Sequence, residues 1–405
     1  MGLKILYGFY ILFFLKTVIS SIKKSNNQFI NAYSFFSLEI SVKIILSSLI
    51  IFVIKGDTYD YNNSFKVLAI STVFLFSIWL GYINKSIPVF FLKNSKIFFR
   101  QTDKIKRFKG ALGFYAFVFF GLGLICFLML MIKGGGGSLW ITDSRTAYQF
   151  FRKGAGGYYV FSQIFMYLSF VSFLFKLKKL KFKNIISLLT FFVFIFLFYG
   201  SKRSLVTLIL IVIVFYSYYV NNIKKSYLFL FFFFIAALFL LTQFLFSNLS
   251  VIESINYFTY FDNMVLFLQK NPDFTFMNGK STFSNSWSLV PRSIYPDKPF
   301  VYGSAYISEL VYPGSAASTH TIGVLPWAMY YLDFGYIGVF VGGLITGISL
   351  KYIQLLFMVK KDFFIFLLFI NYGISNILKH VPFFVFILLI VLSINYLRIK
   401  IIYKE

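Results

Sequence analysis

Charge is scarce in this 405-residue chain and acidic charge is scarcest: 13% of residues are charged, and Asp and Glu number 13 against 39 Lys and Arg. Soluble domains carry about 25% charged residues, so this composition excludes an ordinary soluble globular protein. Cysteine is nearly absent. Cys126 stands alone in an apolar run, which rules out a disulfide within the chain and any Cys/His zinc spacing. Histidine is limited to His320 and His380. There is no Gly-rich nucleotide phosphate loop, which excludes an ATP motor. An Asp-x-Asp metal pair, a His-Glu-x-x-His motif and a Gly-x-Ser-x-Gly elbow are missing too.

What the chain has instead is apolar length. Hydrophobic residues make up 59% and aromatic residues 23%. Runs of about 18 or more apolar residues recur without period-2 alternation, so the spans are helices and not barrel strands. The expected fold class is an all-α polytopic membrane protein with about eleven spans, or ten to twelve. They lie near 3–22, 33–54, 67–83, 110–132, 158–175, 185–200, 204–220, 227–246, 323–350, 363–378 and 382–397. Pro326 and Asp333 suggest that the span from 323 begins with a broken or surface-lying piece. The first 22 residues read as a retained helix, because no small-residue cleavage site follows Lys4 and Lys16.

The formal net charge of +26 falls mostly in short loops. It points to anionic lipid headgroups and phosphates as partners, not to nucleic acid. Numbered from the N-terminus, the odd loops and the C-terminal tail hold the larger share of Lys and Arg, led by Lys93–Lys109 and Lys176–Lys183. The positive-inside rule makes those loops cytoplasmic. The organisation is then a single integral membrane domain in three stretches. Residues 1–247 carry eight spans and an external segment at 133–157, 248–322 form one large external loop, and 323–405 carry three spans.

Candidate chemistry concentrates on the outer side. The loop 248–322 holds five of the eight prolines, Pro272, Pro291, Pro296, Pro299 and Pro313, along with Trp287, Arg292, Lys298, Glu309 and His320. A long aromatic loop of this kind is functional more often than disordered. In Pro291–Pro299 the prolines fix the backbone that carries Arg292, Asp297 and Lys298. Asp297 is a candidate base or an orienter of either cation, and the plain alternative is a rigid turn with a surface salt bridge. His320 titrates in the range suited to proton transfer. Gly200-Ser201-Lys202-Arg203-Ser204 joins two spans with almost no loop, and its two cations sit against the positive-inside bias. They either snorkel to headgroup phosphates or clamp a phosphate, for which the planar fork of Arg is suited. Trp287, Tyr295 and Tyr302 are candidate sugar platforms or loop packing. Gly134–Gly137 read as a hinge, with Asp143, Arg145, Arg152 and Lys153 beyond it. Glu39 and Lys43, four apart in a span, read as an internal ion pair. The glycines at 335, 338, 342, 343 and 347 read as a packing stripe, with Asp333 at its start facing a polar cavity.

Taken together, these features resemble the bacterial O-antigen and capsule repeat-unit polymerases, the Wzy family. The resemblance rests on the span layout, the Gly-x-x-Arg hairpin at Gly200–Arg203, Pro291-Arg292 with Pro296-Asp297-Lys298-Pro299, and the Ser/Thr-rich stretch through His320 to Gly335-Tyr336-Ile337-Gly338. It implies a helical bundle of the GT-C type at the cytoplasmic (inner) membrane, with its large loop on the periplasmic side. It also implies a transferase that moves a growing glycan from undecaprenyl diphosphate onto the next lipid-linked repeat. No nucleotide sugar, metal or other cofactor is expected, and a chain-length regulator is a possible protein partner. Within that resemblance Arg203, Lys202, Arg292 and Lys298 would bind diphosphate, while His320, Asp297 and Arg292 would be catalytic. An O-antigen ligase and a flippase of the same lipid-linked sugars are the alternatives. A flippase places charge at the midplane on broken helices, whereas here the outward charge gathers at helix ends and in one loop.

Overall fold

Long apolar runs fold as helices because lipid offers the backbone no partner but itself. The computed structural model describes residues 2–24, 31–50, 60–84, 108–151, 155–177, 182–220, 259–289, 295–299, 301–315, 322–360, 365–367 and 369–370. The described residues are helix, turn and irregular chain, with no strand among them. Five helices are long and apolar enough to cross a membrane: Leu3–Lys23, Tyr61–Ile83, Leu112–Gly134, Gly156–Lys176 and Ala328–Met358. Each coincides with an expected span. The expected spans at 227–246 and 382–397, and most of the one at 363–378, lie outside the described residues, as do Arg292, His320, Arg152, Lys153 and His380. The chain divides into two compact units, Met1–Asn94 with Ile252–Glu405, and Ser95–Val251.

The first unit is built on α1 (Gly2–Lys24), α2 (Ala32–Ile50) and α3 (Tyr61–Ile83). To these it adds α10 (Tyr260–Lys270), α11 (Lys280–Ser284), α12 (Ala305–Val311) and α13 (Ala328–Lys360). Asp60 starts α3 as its N-cap, accepting from the Asn63 backbone N–H at 3.0 Å. The buried positions of α3, among them Ser64, Val67, Leu68, Ser71, Phe74, Ile78, Gly81 and Tyr82, recur every three or four residues and so form one stripe. That stripe packs on α13. The two backbones touch where small residues face each other: a Cβ on Gly343 would strike Ser77, one on Gly347 would strike the Ile78 carbonyl, and one on Gly81 would strike the Leu344 carbonyl. The packing stripe expected from the sequence is therefore present, in the close small-residue form that helices use in lipid. It covers only part of the glycine series, since Gly335 and Gly338 belong to a break in α13 instead. Glu39 and Lys43 do pair, at 2.6 Å, and the Lys43 ammonium also lies 4.9 Å from the Tyr260 ring of α10.

The second unit contains α4 (Phe108–Gly134), α5 (Leu139–Thr142), α6 (Ser144–Phe150) and α7 (Gly156–Lys176). It continues with α8 (Phe182–Leu197) and with α9 (Lys202–Phe215), which runs on as a π-turn over Tyr216–Val220. Helices α4 and α7 form its main pair. Hydroxyls of α7 bond to α4 carbonyls, Ser162 to Gly123 at 2.6 Å and Ser169 to Ala116 at 2.8 Å. The glycine run that was expected as a hinge forms a turn. Gly135, Gly136 and Gly137 all take positive φ, and the Gly135 carbonyl accepts from the buried Trp140 indole at 3.2 Å.

Candidate functional site: a loop docked on a broken helix

The stretch expected as one long loop contains three short helices. Amphipathic α10 buries Phe261, Met264, Val265, Phe267 and Leu268 at helical spacing, and packs on α2, α3 and α12. The rest of the loop is fastened to α13 at a break. Phe334 (φ −140°, ψ 16°) and Gly335 (φ 59°, ψ −143°) depart from helical geometry, and the second value requires glycine. A break of this kind releases the preceding carbonyls from the helix ladder. They are used at once: Leu332 O accepts from Met277 N at 3.1 Å, and Asp333 O accepts from Asn278 N at 3.2 Å.

The Asp333 side chain completes the joint. It is 0% exposed, and its two oxygens accept from the backbone N–H groups of Ser281 (2.9 Å) and Thr282 (2.7 Å) in the first turn of α11. The expectation that Asp333 faces a polar cavity is therefore corrected. The carboxyl is spent inside the protein on orphan amides that would otherwise be buried without partners. The next stretch folds back over α11, where Gly303 N donates to Ser284 Oγ at 3.0 Å.

On this joint sits the turn Tyr295–Lys298, closed by Lys298 N donating to Tyr295 O at 3.3 Å. Tyr295, 43% exposed, stacks on Trp287 with ring centres 5.5 Å apart and planes within 14°. Lys298 turns inward: it is 7% exposed, with its ammonium 4.6 Å from the Tyr302 ring. Asp297 is exposed, and it forms no ion pair with Lys298 among the described residues. Of the two cations weighed as partners of Asp297, Lys298 is therefore not paired with it, and Arg292 lies outside the described residues. Glu309 accepts from Gly314 N at 2.6 Å. Beyond the undescribed residues the chain is caught again, with Ile322 N on Ser308 Oγ (3.1 Å) and Gly323 O on Asn263 (2.9 Å). The structure therefore brings Trp287, Tyr295, Asp297, Lys298 and Tyr302 into one docked segment.

The other sequence candidates, Lys202 and Arg203, belong to the second unit, where they occupy the first two positions of α9. The hairpin before them is clasped by α6. Ser144 Oγ donates to Leu197 O at 2.8 Å, and Arg145 Nη1 reaches Gly200 O at 3.5 Å. Gly200 has φ +60°, and a Cβ there would overlap the Ser144 carbonyl, so this approach also needs glycine. Below the tip, Gln163 Nε2 bonds Ser204 Oγ (2.7 Å) and Tyr159 Oη (2.8 Å). Asp143 caps α6 by accepting from Thr146 N at 3.1 Å, and the bonds from Thr146 hold its carboxyl below the usual range.

Comparison with known proteins bears on what these segments serve. An O-antigen polymerase of Salmonella typhimurium (strain LT2) is 24% identical over 318 residues, which is 76% of this chain and 75% of the relative. The chain is similar to O-antigen polymerases. A Salmonella typhi protein of the same name matches to the same extent. No family model matches the chain, and no solved structure does. The relatives bear the name of the family that the Gly200–Arg203 and Pro291–Pro299 patterns resemble. Sequence reasoning missed the anchoring role of Asp333 and the contact of Arg145 with Gly200. One signal for the first was available: a lone acid two residues before Gly335 in an otherwise apolar helix.

Proposed function

We propose that this protein is a membrane glycosyltransferase that polymerises oligosaccharide repeats carried on a polyprenyl diphosphate. The observation that carries the reading is the similarity to two O-antigen polymerases over three quarters of both chains. Supporting it are five helices able to cross a membrane and the cation-rich segments at helix ends. The density of Lys and Arg in the odd loops favours an external position for the 248–322 loop.

In the proposed reaction, the acceptor hydroxyl on the terminal sugar of a new repeat attacks the anomeric carbon of the growing chain. A carbon–oxygen bond forms there, and the bond from that carbon to the diphosphate oxygen breaks. Undecaprenyl diphosphate leaves with the electron pair. Its developing charge needs fixed cations, the electrostatic role that is usually largest in such sites. Arg292 is proposed as such a cation from the sequence, as are Lys202 and Arg203. Lys298, buried over Tyr302, is better suited to holding the turn that presents Asp297. His320 or Asp297 takes the hydroxyl proton. The stacked Trp287 and Tyr295 offer an apolar platform for a sugar face.

Reconstitution of the full chain with an undecaprenyl-diphosphate-linked repeat tests this reading. A ladder of products growing by one repeat is expected, and Arg292→Ala and Arg203→Ala should each abolish it while the protein stays folded in the membrane. Transfer of a single finished glycan to a different lipid would instead identify a ligase. Passage of repeats across the bilayer without elongation would overturn the enzyme reading.

A further inference from the structure

The break in α13 lies beside the apolar part of α3. The Trp327 indole donates to Ser71 Oγ at 3.0 Å, and the Tyr330 and Phe74 ring centres are 6.2 Å apart. Further along, a Cβ on Gly347 would strike the Ile78 carbonyl, and the Lys351 ammonium lies 4.9 Å from the Tyr82 ring. The two helices therefore run in the same direction, but over unequal lengths. At about 1.5 Å per residue, Ser71 to Tyr82 is about 17 Å of helix and Trp327 to Lys351 about 36 Å. The surplus is taken up at Phe334–Gly335. Both limbs of the break touch α3 at one level: Tyr330 of the first packs on Phe74, and a Cβ on Gly343 of the second would lie 3.1 Å from the Phe74 carbonyl oxygen. The turn between the limbs stands off α3 as a wedge. Its flanks are inside the apolar run of α3, which begins at Val67 and reaches Phe74 about 10 Å further in.

Asp333 fastens residues 276–283 to this wedge, and the surface they form together is apolar. Phe276 lies against Gly335, and Phe283 and Phe334 flank Gly279, yet all three rings are exposed, Phe283 at 75%. On the second limb Ile337 is 76% exposed and opens the row Ile337, Val341, Ile345, spaced by four and exposed throughout, on a helix able to cross a membrane. Three exposed rings continuous with such a row mark a contact surface. Irregular backbone at membrane depth persists only where the protein satisfies its polar groups. The carbonyls of Leu332 and Asp333 and the amides of Ser281 and Thr282 all have such partners here. Lys280 is compatible with lipid nearby, since its ammonium lies 5.6 Å from the Tyr306 ring and a lysine stem can cross apolar surface to reach headgroups.

We propose that the 248–322 loop is not wholly in water: the break of α13 and residues 276–283 form a wedge that inserts Phe276, Phe283 and Phe334 into the hydrocarbon of the leaflet nearest the loop. Phospholipid acyl chains cover the patch. The docked segment with Trp287 and Tyr295 is thereby held at the bilayer surface. This placement follows from packing and exposure, whichever face of the membrane the loop occupies and whatever reaction the protein performs.

The full-length chain carrying Cys126→Ala, which removes its one cysteine, is reconstituted in phosphatidylcholine bilayers. Phe276→Cys, Phe283→Cys, Ile345→Cys and Asp297→Cys are introduced one at a time and given a nitroxide label. Power-saturation EPR then compares collision with oxygen, which concentrates in hydrocarbon, against collision with a water-soluble nickel chelate. Ile345→Cys is the hydrocarbon reference and the exposed Asp297→Cys the aqueous one. Labels at Phe276→Cys and Phe283→Cys should follow Ile345→Cys, with oxygen favoured over nickel and a depth of about 5–10 Å below the headgroups. Phe283→Trp gives a second reading without a label: the added fluorescence should be quenched by lipids brominated on the acyl chain and not by aqueous iodide.

Nickel access at Phe276→Cys and Phe283→Cys equal to that at Asp297→Cys overturns the proposal. Shielding of both sites from both probes also overturns it, and identifies a protein surface, a second copy of this chain or another partner, as the cover. If the labelled proteins do not fold, Phe283→Trp decides alone, and quenching by iodide without quenching by brominated lipid removes the insertion. A chain that shows the insertion yet makes no polymer leaves the wedge standing and removes the polymerase reading.

Discussion

Replacing Asp333 by Asn tests whether the break in α13 is what fastens the outer loop. The wild-type carboxyl accepts from two backbone N–H groups in a fully buried place. Asparagine keeps one acceptor and turns an N–H toward the other amide, so one bond is lost and two donors face each other. Hydrogen bonds to a charged group contribute about 1.5–3 kcal/mol each, which puts the change at about 2 kcal/mol. Asp333→Ala removes both acceptors, but water can enter the space, so about 3 kcal/mol is expected. These energies act on loop docking and not on the whole bundle, because α3 and α13 keep their own contacts. The reporter is therefore local: hydrogen exchange at the Ser281 and Thr282 amides, which should speed up about 30-fold in Asp333→Asn and about 150-fold in Asp333→Ala. Exchange in α3 should stay as in wild type. If both variants keep wild-type protection at Ser281 and Thr282, the carboxyl is not the fastening and the argument fails.

Two further outcomes follow from the same geometry. Gly347→Leu must push α13 off the Ile78 and Tyr82 backbone, while Gly121→Leu enters open space. The first should cost about 1–3 kcal/mol and lower the melting temperature by several degrees, and the second should leave it unchanged; equal melting would refute the close-packing account. The depressed Asp143 carboxyl stabilises the start of α6 at any pH above its ordinary value of about 4, and that contribution is lost as pH falls through the lower folded value. Amide exchange at Thr146, followed in acid, should show protection fading only below about pH 4, and Asp143→Asn should remove the pH dependence.

The sequence by itself located the long apolar helices among the described residues, though not the short helices between 260 and 311. Eight expected spans, from 3–22 to 204–220 and the one from 323, coincide with described helices, because apolar length and the demands of lipid leave the backbone no other choice. It also determined the small-residue seam at Gly343 and Gly347 and the Glu39–Lys43 pair, since spacing on one helix face is local information. Only the tertiary structure decided what the polar residues do. Asp333 meets Ser281 across 52 positions, and Arg145 meets Gly200 across 55. Nothing local foretells such contacts, which arise where two chain segments happen to be packed together. The same holds for Lys298, whose neighbours Pro296 and Pro299 suggested a rigid external cation but whose side chain turns inward over Tyr302. Helix formation satisfies the backbone within its own segment, so it can be read along the chain. The pairing of a buried polar side chain depends on whichever distant amide or carbonyl the fold leaves unsatisfied, and it becomes visible only once the segments are assembled.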